Sequence, residues 1–116
     1  MTGIRILPVE GLPEVTEGDD LAALIAGAIE LEHGDVVVVA HKAVSKVEGR
    51  VLALDDIDPS AAAREIAGAD ARDPRQVEAV LSEAIRIVRR RGGLVIAETR
   101  HGFVCASAGV DASNAP

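Results

Sequence analysis

Two short segments hold the side chains that could do chemistry. His41, Lys42, Ser45, Lys46 and Arg50 follow directly on the apolar run Val36-Val37-Val38-Val39-Ala40. Two lysines four residues apart can meet phosphate or carboxylate oxygens as point charges. In α/β proteins a segment leaving the end of a strand is a usual place for ligands. It is not a P-loop, because the Gly-x4-Gly-Lys-Ser/Thr frame is missing. The same residues also suit a solvated loop with ordinary surface lysines. In the second segment, residues 109–114, Asp111 can ligate a hard cation such as magnesium or manganese, which prefers carboxylate oxygen. Ser113 and Asn114 can hold a second ligand or a nucleotide group. An Asx-turn or helix cap would use the same residue types.

Other features carry less chemistry. Leu12-Pro13-Glu14-Val15 reads as a rigid turn before the first helix. Arg86, Arg89, Arg90 and Arg91 suit a solvated helix end matched to the helix dipole, or an anion patch. Cys105, within an apolar run, reads as a small core side chain. His33 and His101 flank glycine turns and read as surface residues. No Cys/His pair and no Ser/His/Asp order stands out.

The elements that must position these residues follow from patterning. Residues 4–9 read as a first strand. Gly18-Asp19-Asp20 opens a helix through about Glu32, with Leu21, Leu24, Ile25, Ala28 and Ile29 on one face. The β-branched run at residues 36–40, without alternation, suggests a strand buried on both faces. Residues 51–54 suggest a short strand. Asp58-Pro59 and Asp73-Pro74 are two copies of one helix-start signal, Asp as N-cap and Pro in the first turn. From Pro74, helical spacing of Val77, Val80, Leu81, Ala84, Ile85 and Val88 runs to Gly92-Gly93. Residues 94–99 and 103–107 read as a hairpin around Arg100-His101-Gly102. The order gives an α/β (mixed α+β) domain over residues 1–116, a mixed sheet with helices packed on it.

Composition narrows the function classes. A chain of 116 residues is one domain at most. Phe103 is its single aromatic residue besides histidine, and the net charge is −7. Stacking platforms and a basic footprint are both missing, which argues against nucleic-acid binding. The charge is uneven: residues 1–58 hold 12 acidic and 4 basic side chains, residues 59–116 hold 7 and 8. Anionic ligands therefore need local help from cations, backbone N–H groups or a metal. One cysteine excludes an intrachain disulfide. No signal peptide and no apolar run long enough to span a bilayer is visible, so a cytoplasmic, membrane-free protein is expected.

Taken in order, four segments resemble one known family. They are Pro8-Val9-Glu10-Gly11-Leu12-Pro13-Glu14-Val15 with Gly18-Asp19-Asp20-Leu21, then Gly34-Asp35-Val36-Val37-Val38-Val39, then Val44-Ser45-Lys46-Val47-Glu48-Gly49-Arg50, then Ala108-Gly109-Val110-Asp111-Ala112-Ser113-Asn114. The chain resembles the coenzyme F420:L-glutamate ligases (F420-0:gamma-glutamyl ligases) along its whole length. The resemblance implies a ligase of coenzyme F420 biosynthesis. Such an enzyme adds L-glutamate to F420-0 through γ-linked amide bonds, drives the step with GTP by way of an acyl phosphate, and requires magnesium or manganese, with K+ as a further cation. It implies a homodimer. Leu12, Pro13, Glu14, Val15, His41, Lys42, Lys46 and Asn114 would then bind GTP, and Asp111 would be a metal ligand. The two segments above would become two walls of one site. Family ligase domains are roughly twice as long and carry later acidic ligands, so the expectation is the N-terminal half of the ligase fold, with little activity alone. The alternative is a non-catalytic nucleotide- or partner-binding module.

Overall fold

The computed structural model describes residues 3–112. The chain divides into two compact units, Met1–Val51 and Leu52–Pro116. In the first, α1 (Leu21–Ala28) starts at Asp20, whose Oδ1 accepts from the Ala23 N–H at 3.0 Å. That bond satisfies one of the N–H groups a helix start leaves without a partner. Helix α1 stops at Ala28, short of the expected Glu32, because Ile29 is already extended. Asp35 contributes to that stop: its Oδ2 accepts from the Glu32 N–H at 2.8 Å, a local turn that competes with helical bonding. Helix α2 (His41–Val47) replaces the loop expected after the valine run.

The two strands expected in this unit do not form. Ile4 and Ile6 are 92% and 88% exposed, and Val36 and Val38 are 86% and 89% exposed. β-branched residues favour extended backbone, but a strand needs a neighbour to satisfy its N–H and C=O groups. Neither segment has a partner strand among the described residues.

The second unit holds α3 (Ala61–Gly68), α4 (Pro74–Glu83), β1 (Ala84–Arg91), β2 (Leu94–Thr99) and β3 (Val104–Ala106). A 3-10 turn, Leu54–Asp56, stands where a short strand was expected. Ser60, not Asp58, caps α3: its Oγ accepts from the Ala63 N–H at 3.2 Å and donates to Glu78 on α4 at 2.8 Å. Pro59 therefore precedes the cap instead of opening the helix. Asp73 caps α4 as expected, accepting from the Arg75 N–H at 2.9 Å, with Pro74 in the first turn. The Arg75 side chain also binds this carboxylate. That hydrogen bond first, and the backbone N–H second, hold the Asp73 carboxyl below its ordinary range.

Helix α4 ends at Glu83, well before Gly92, and the chain continues as β1. The spacing of Ala84, Ile85 and Val88 suits a helix, but Ile85, Ile87 and Val88 are also strand formers. Pairing with β2 decides between them. The sheet is antiparallel in the order β1-β2-β3. The mixed α/β class thus stands, with the sheet built of hairpins. Its inner face, Val95 and Ala97, packs with Ile66 of α3 and with Val77 and Val80 of α4. After β3 the chain makes a left-handed turn, Ser107–Gly109, at φ 54°, 50° and 75°. Ala108 is buried there in the same core.

Candidate functional site

In the first unit, of the predicted residues, Glu14 and Val15 come together with Lys46. Lys46 lies in the last turn of α2, and its Nζ is 3.1 Å from Glu14 Oε1. The Gly18 N–H donates to the Val47 carbonyl at 3.0 Å and ties the loop before α1 to the end of α2. The chain then turns back, with the Arg50 N–H on the Ser45 carbonyl at 2.8 Å. Gly49 makes this turn at φ +68°, and a Cβ there would collide with the Glu17 carboxylate. Glycine is therefore required for the backbone, whereas the Glu17 carboxylate, at the end of a flexible exposed side chain, can swing aside.

These segments enclose an open depression of about 290 Å³, lined by Val15, Thr16, Glu17, Lys46, Gly49 and Val51. Lys46 supplies its positive charge, and Glu14 and Glu17 oppose it. The Lys46 side chain is 30% exposed and Glu14 is 85% exposed. An anion can therefore displace the outer carboxylate while the ammonium stays in place. An exposed pair of this kind contributes at most about 1 kcal/mol, so exchange of one anion for another is inexpensive.

His41 and Lys42 sit at the start of α2 and are exposed; Lys42 lies one helical turn before Lys46. Leu12 and Pro13 are exposed at the approach to the depression's Val15 wall. Glu17 and Gly49 are lining residues that residue-type reasoning missed. Gly49 is marked only within the Val44–Arg50 segment of the family likeness, and nothing in the spacing marks Glu17 as its neighbour.

Asp111 belongs to the second unit. The left-handed turn at residues 107–109 sends Val110 back onto the core and leaves Asp111 exposed. The Val110 N–H closes the turn on the Ser107 carbonyl at 2.8 Å. Asp111 can offer one carboxylate, whereas magnesium and calcium take six or more oxygen ligands. Among the described residues no three His, Cys, Asp or Glu side chains cluster to complete such a set. The described donors alone do not make a metal centre. Asn114 lies outside the described residues. Cys105 is half-buried, and His33 and His101 are exposed as expected. No described helix is long and apolar enough to cross a membrane.

Comparison with known proteins adds a family to this geometry. Residues 11–116 match the family described as F420-0:Gamma-glutamyl ligase. The coenzyme F420:L-glutamate ligase of Methanopyrus kandleri is 50% identical over 119 residues, covering 100% of this chain and 47% of the relative. That of Methanothermobacter thermautotrophicus is 46% identical over 117 residues, 97% of this chain and 46% of the relative. That of Archaeoglobus fulgidus is 42% identical over 111 residues, 96% and 44%. The chain spans about half the length of the curated relatives it matches. It belongs to the F420-0:gamma-glutamyl ligase family.

Proposed function

We propose that these residues form the N-terminal part of a ligase that joins L-glutamate to coenzyme F420-0 at the expense of GTP. The observation that carries the proposal is the placement of Lys46 beside the 12–17 loop, in a chain whose relatives bear that ligase name. Lys46 releases Glu14 and takes a phosphate oxygen of the nucleotide. Residues 12–15 line the nucleotide, and His41, Lys42 and Asn114 approach it. Asp111 enters as one carboxylate ligand to magnesium or manganese, and K+ is a further cation of the reading.

The chemistry balances without an oxidant or reductant. A carboxylate oxygen of the acceptor attacks the γ-phosphorus of GTP; GDP leaves and an acyl phosphate forms. The neutral amine of glutamate attacks the acyl carbon, the amide forms, and phosphate departs with the bonding electron pair. The amine's proton passes to solvent. Activation is needed because a carboxylate is a poor electrophile, and positioned cations offset the charge that develops on the transferring phosphoryl group.

On this reading the enzyme is cytoplasmic and homodimeric. The 116 residues cover under half of the relatives' length. A second reading, a nucleotide- or partner-binding module without catalysis, draws support from the exposed apolar segments at 4–7 and 36–39. Calorimetry with GTP and Mn2+ tests the first. Lys46→Ala is expected to weaken GTP binding by about tenfold or more, the loss of one charge-assisted contact of roughly 1.5–3 kcal/mol. GTP affinity unchanged in Lys46→Ala removes the nucleotide assignment and favours the module.

A further inference from the structure

We propose that the outer face of the β1–β2 hairpin is a docking strip for a glutamyl chain, an extended ligand that carries carboxylates on methylene stems. The inference deepens the ligase reading and rests on it for the identity of the ligand; the strip itself follows from the sheet register.

Alternation along an unbroken strand would put Arg86 and Arg89 on opposite faces. Strand β1 is not unbroken. Arg86 faces Glu98, Ile87 faces Ala97, and Arg89 faces Ile96, so Val88 is an extra residue opposite the β2 ladder. A bulge of this kind re-aims the side chains that follow it. Arg86, Arg89 and Arg91 consequently share one face with Glu98, Ile96 and Leu94, while Val95 and Ala97 point to the core. Arg90 falls on the other side and donates Nε to the Gly92 carbonyl at 2.9 Å.

The arginines of that face are not equivalent. Arg86 is already bound to Glu98 at 2.6 Å. Arg89 and Arg91 are exposed and make no ion pair among the described residues. With no helix end here, no macrodipole accounts for them. Beside them run Leu94, 42% exposed, and the half-buried Ile96. A guanidinium row next to an apolar strip matches a ligand with carboxylates on one side and methylenes on the other. Guanidinium takes carboxylate through two parallel hydrogen bonds, and methylene stems lie on apolar surface.

The strip is also held in shape. Asp70 accepts from the Gly93 N–H at 2.7 Å and pins the hairpin tip, and Arg72 pairs with Asp70 at 3.6 Å. Arg91 leaves the strand directly at that tip, so its backbone is fixed before a ligand arrives. Pre-organisation of this kind lowers the cost of binding.

The test is fluorescence anisotropy of a dye-labelled tetra-γ-glutamate with the whole chain at low and moderate salt. Binding is expected at low salt and to weaken as salt rises. Arg89→Gln/Arg91→Gln is expected to weaken it by about tenfold or more. Arg5→Gln/Arg64→Gln removes the same charge elsewhere and is expected to stay within about twofold. Leu94→Ser is expected to cost roughly threefold through lost methylene contact. All five positions are exposed, and matching thermal melts check that folding is intact. The strip is overturned if wild type does not bind, if both double variants weaken equally, or if tripolyphosphate competes as well as unlabelled tetra-γ-glutamate. Lys46→Ala separates the two proposals, because it is expected to lose GTP and keep tetra-γ-glutamate. Loss of the arginine effect with the Lys46 effect intact removes the strip alone; the reverse removes the nucleotide site alone.

Discussion

Gly92→Ala tests how the β1–β2 hairpin tip is held. Gly92 sits at φ +60°, and a Cβ there would stand 2.7 Å from Asp70 Oδ1. Two costs follow. An alanine in the left-handed region costs about 1–2 kcal/mol. The Asp70 carboxylate must also move, and it is not a loose chain end, because it accepts from the Gly93 N–H at 2.7 Å and pairs with Arg72. Losing that charge-assisted bond costs roughly 1.5–3 kcal/mol, and the two together come to about 2.5–5 kcal/mol. Urea unfolding of Gly92→Ala, Asp70→Ala and the double variant separates them. If the alanine acts by expelling Asp70, both single variants lose the same bond, and the double variant costs less than the sum by about the value of that bond. Strict additivity would falsify the shared-bond account and leave backbone conformation as the whole effect. Hydrogen exchange at the Gly93 amide gives a local check, since it should quicken in both single variants.

Three further outcomes are expected. Gly49→Ala, at a similar φ but facing the mobile end of exposed Glu17, should cost only the backbone term of about 1–2 kcal/mol, and Glu17→Ala should not rescue it in urea melts. Asp73 has a folded pKa below its unfolded value, so its ionised form stabilises the fold above the unfolded pKa near 4. The stability gap between wild type and Asp73→Asn should be full at neutral pH and close as pH falls through the folded value, followed by acid titration of urea midpoints. Val38→Asp should leave stability within about 0.5 kcal/mol, while Ile66→Ala should cost roughly 2–5 kcal/mol; a large Val38→Asp effect would restore the buried-strand expectation.

What the residues alone disclosed was local. Asp73 was legible as a cap, and Gly18-Asp19-Asp20 as a helix start, because a cap is a bond within three residues. The Thr99–Phe103 turn was legible because Gly102 and flanking strand formers mark it. Lys46 was legible by residue type and residues 12–15 by family likeness alone, type giving only a turn there. The rest depended on contacts between distant positions. Residues 84–91 have a helical period and a strand composition at once, and only pairing with β2 decides between them. The valine run states a preference for extended backbone but not whether a neighbour is present. Glu17 reaches Gly49 across a loop closure that no spacing encodes. The left-handed turn uses Ser107 and Ala108, side chains that carry no such signal, and it places Ala108 in the core.

The uncovered valines at 36–39 have a consequence for the chain in a crowded solution. Four consecutive exposed valines, without proline, glycine or charge, form a short window that readily stacks with copies of itself. Glu30, Glu32 and Asp35 stand immediately before it, the position in which charged gatekeepers delay such stacking by mutual repulsion. That guard weakens in concentrated salt, when repulsion is screened. The colloidal lifetime of this protein is therefore set by three carboxylates beside one short window, and it shortens under conditions that leave the helical core untouched.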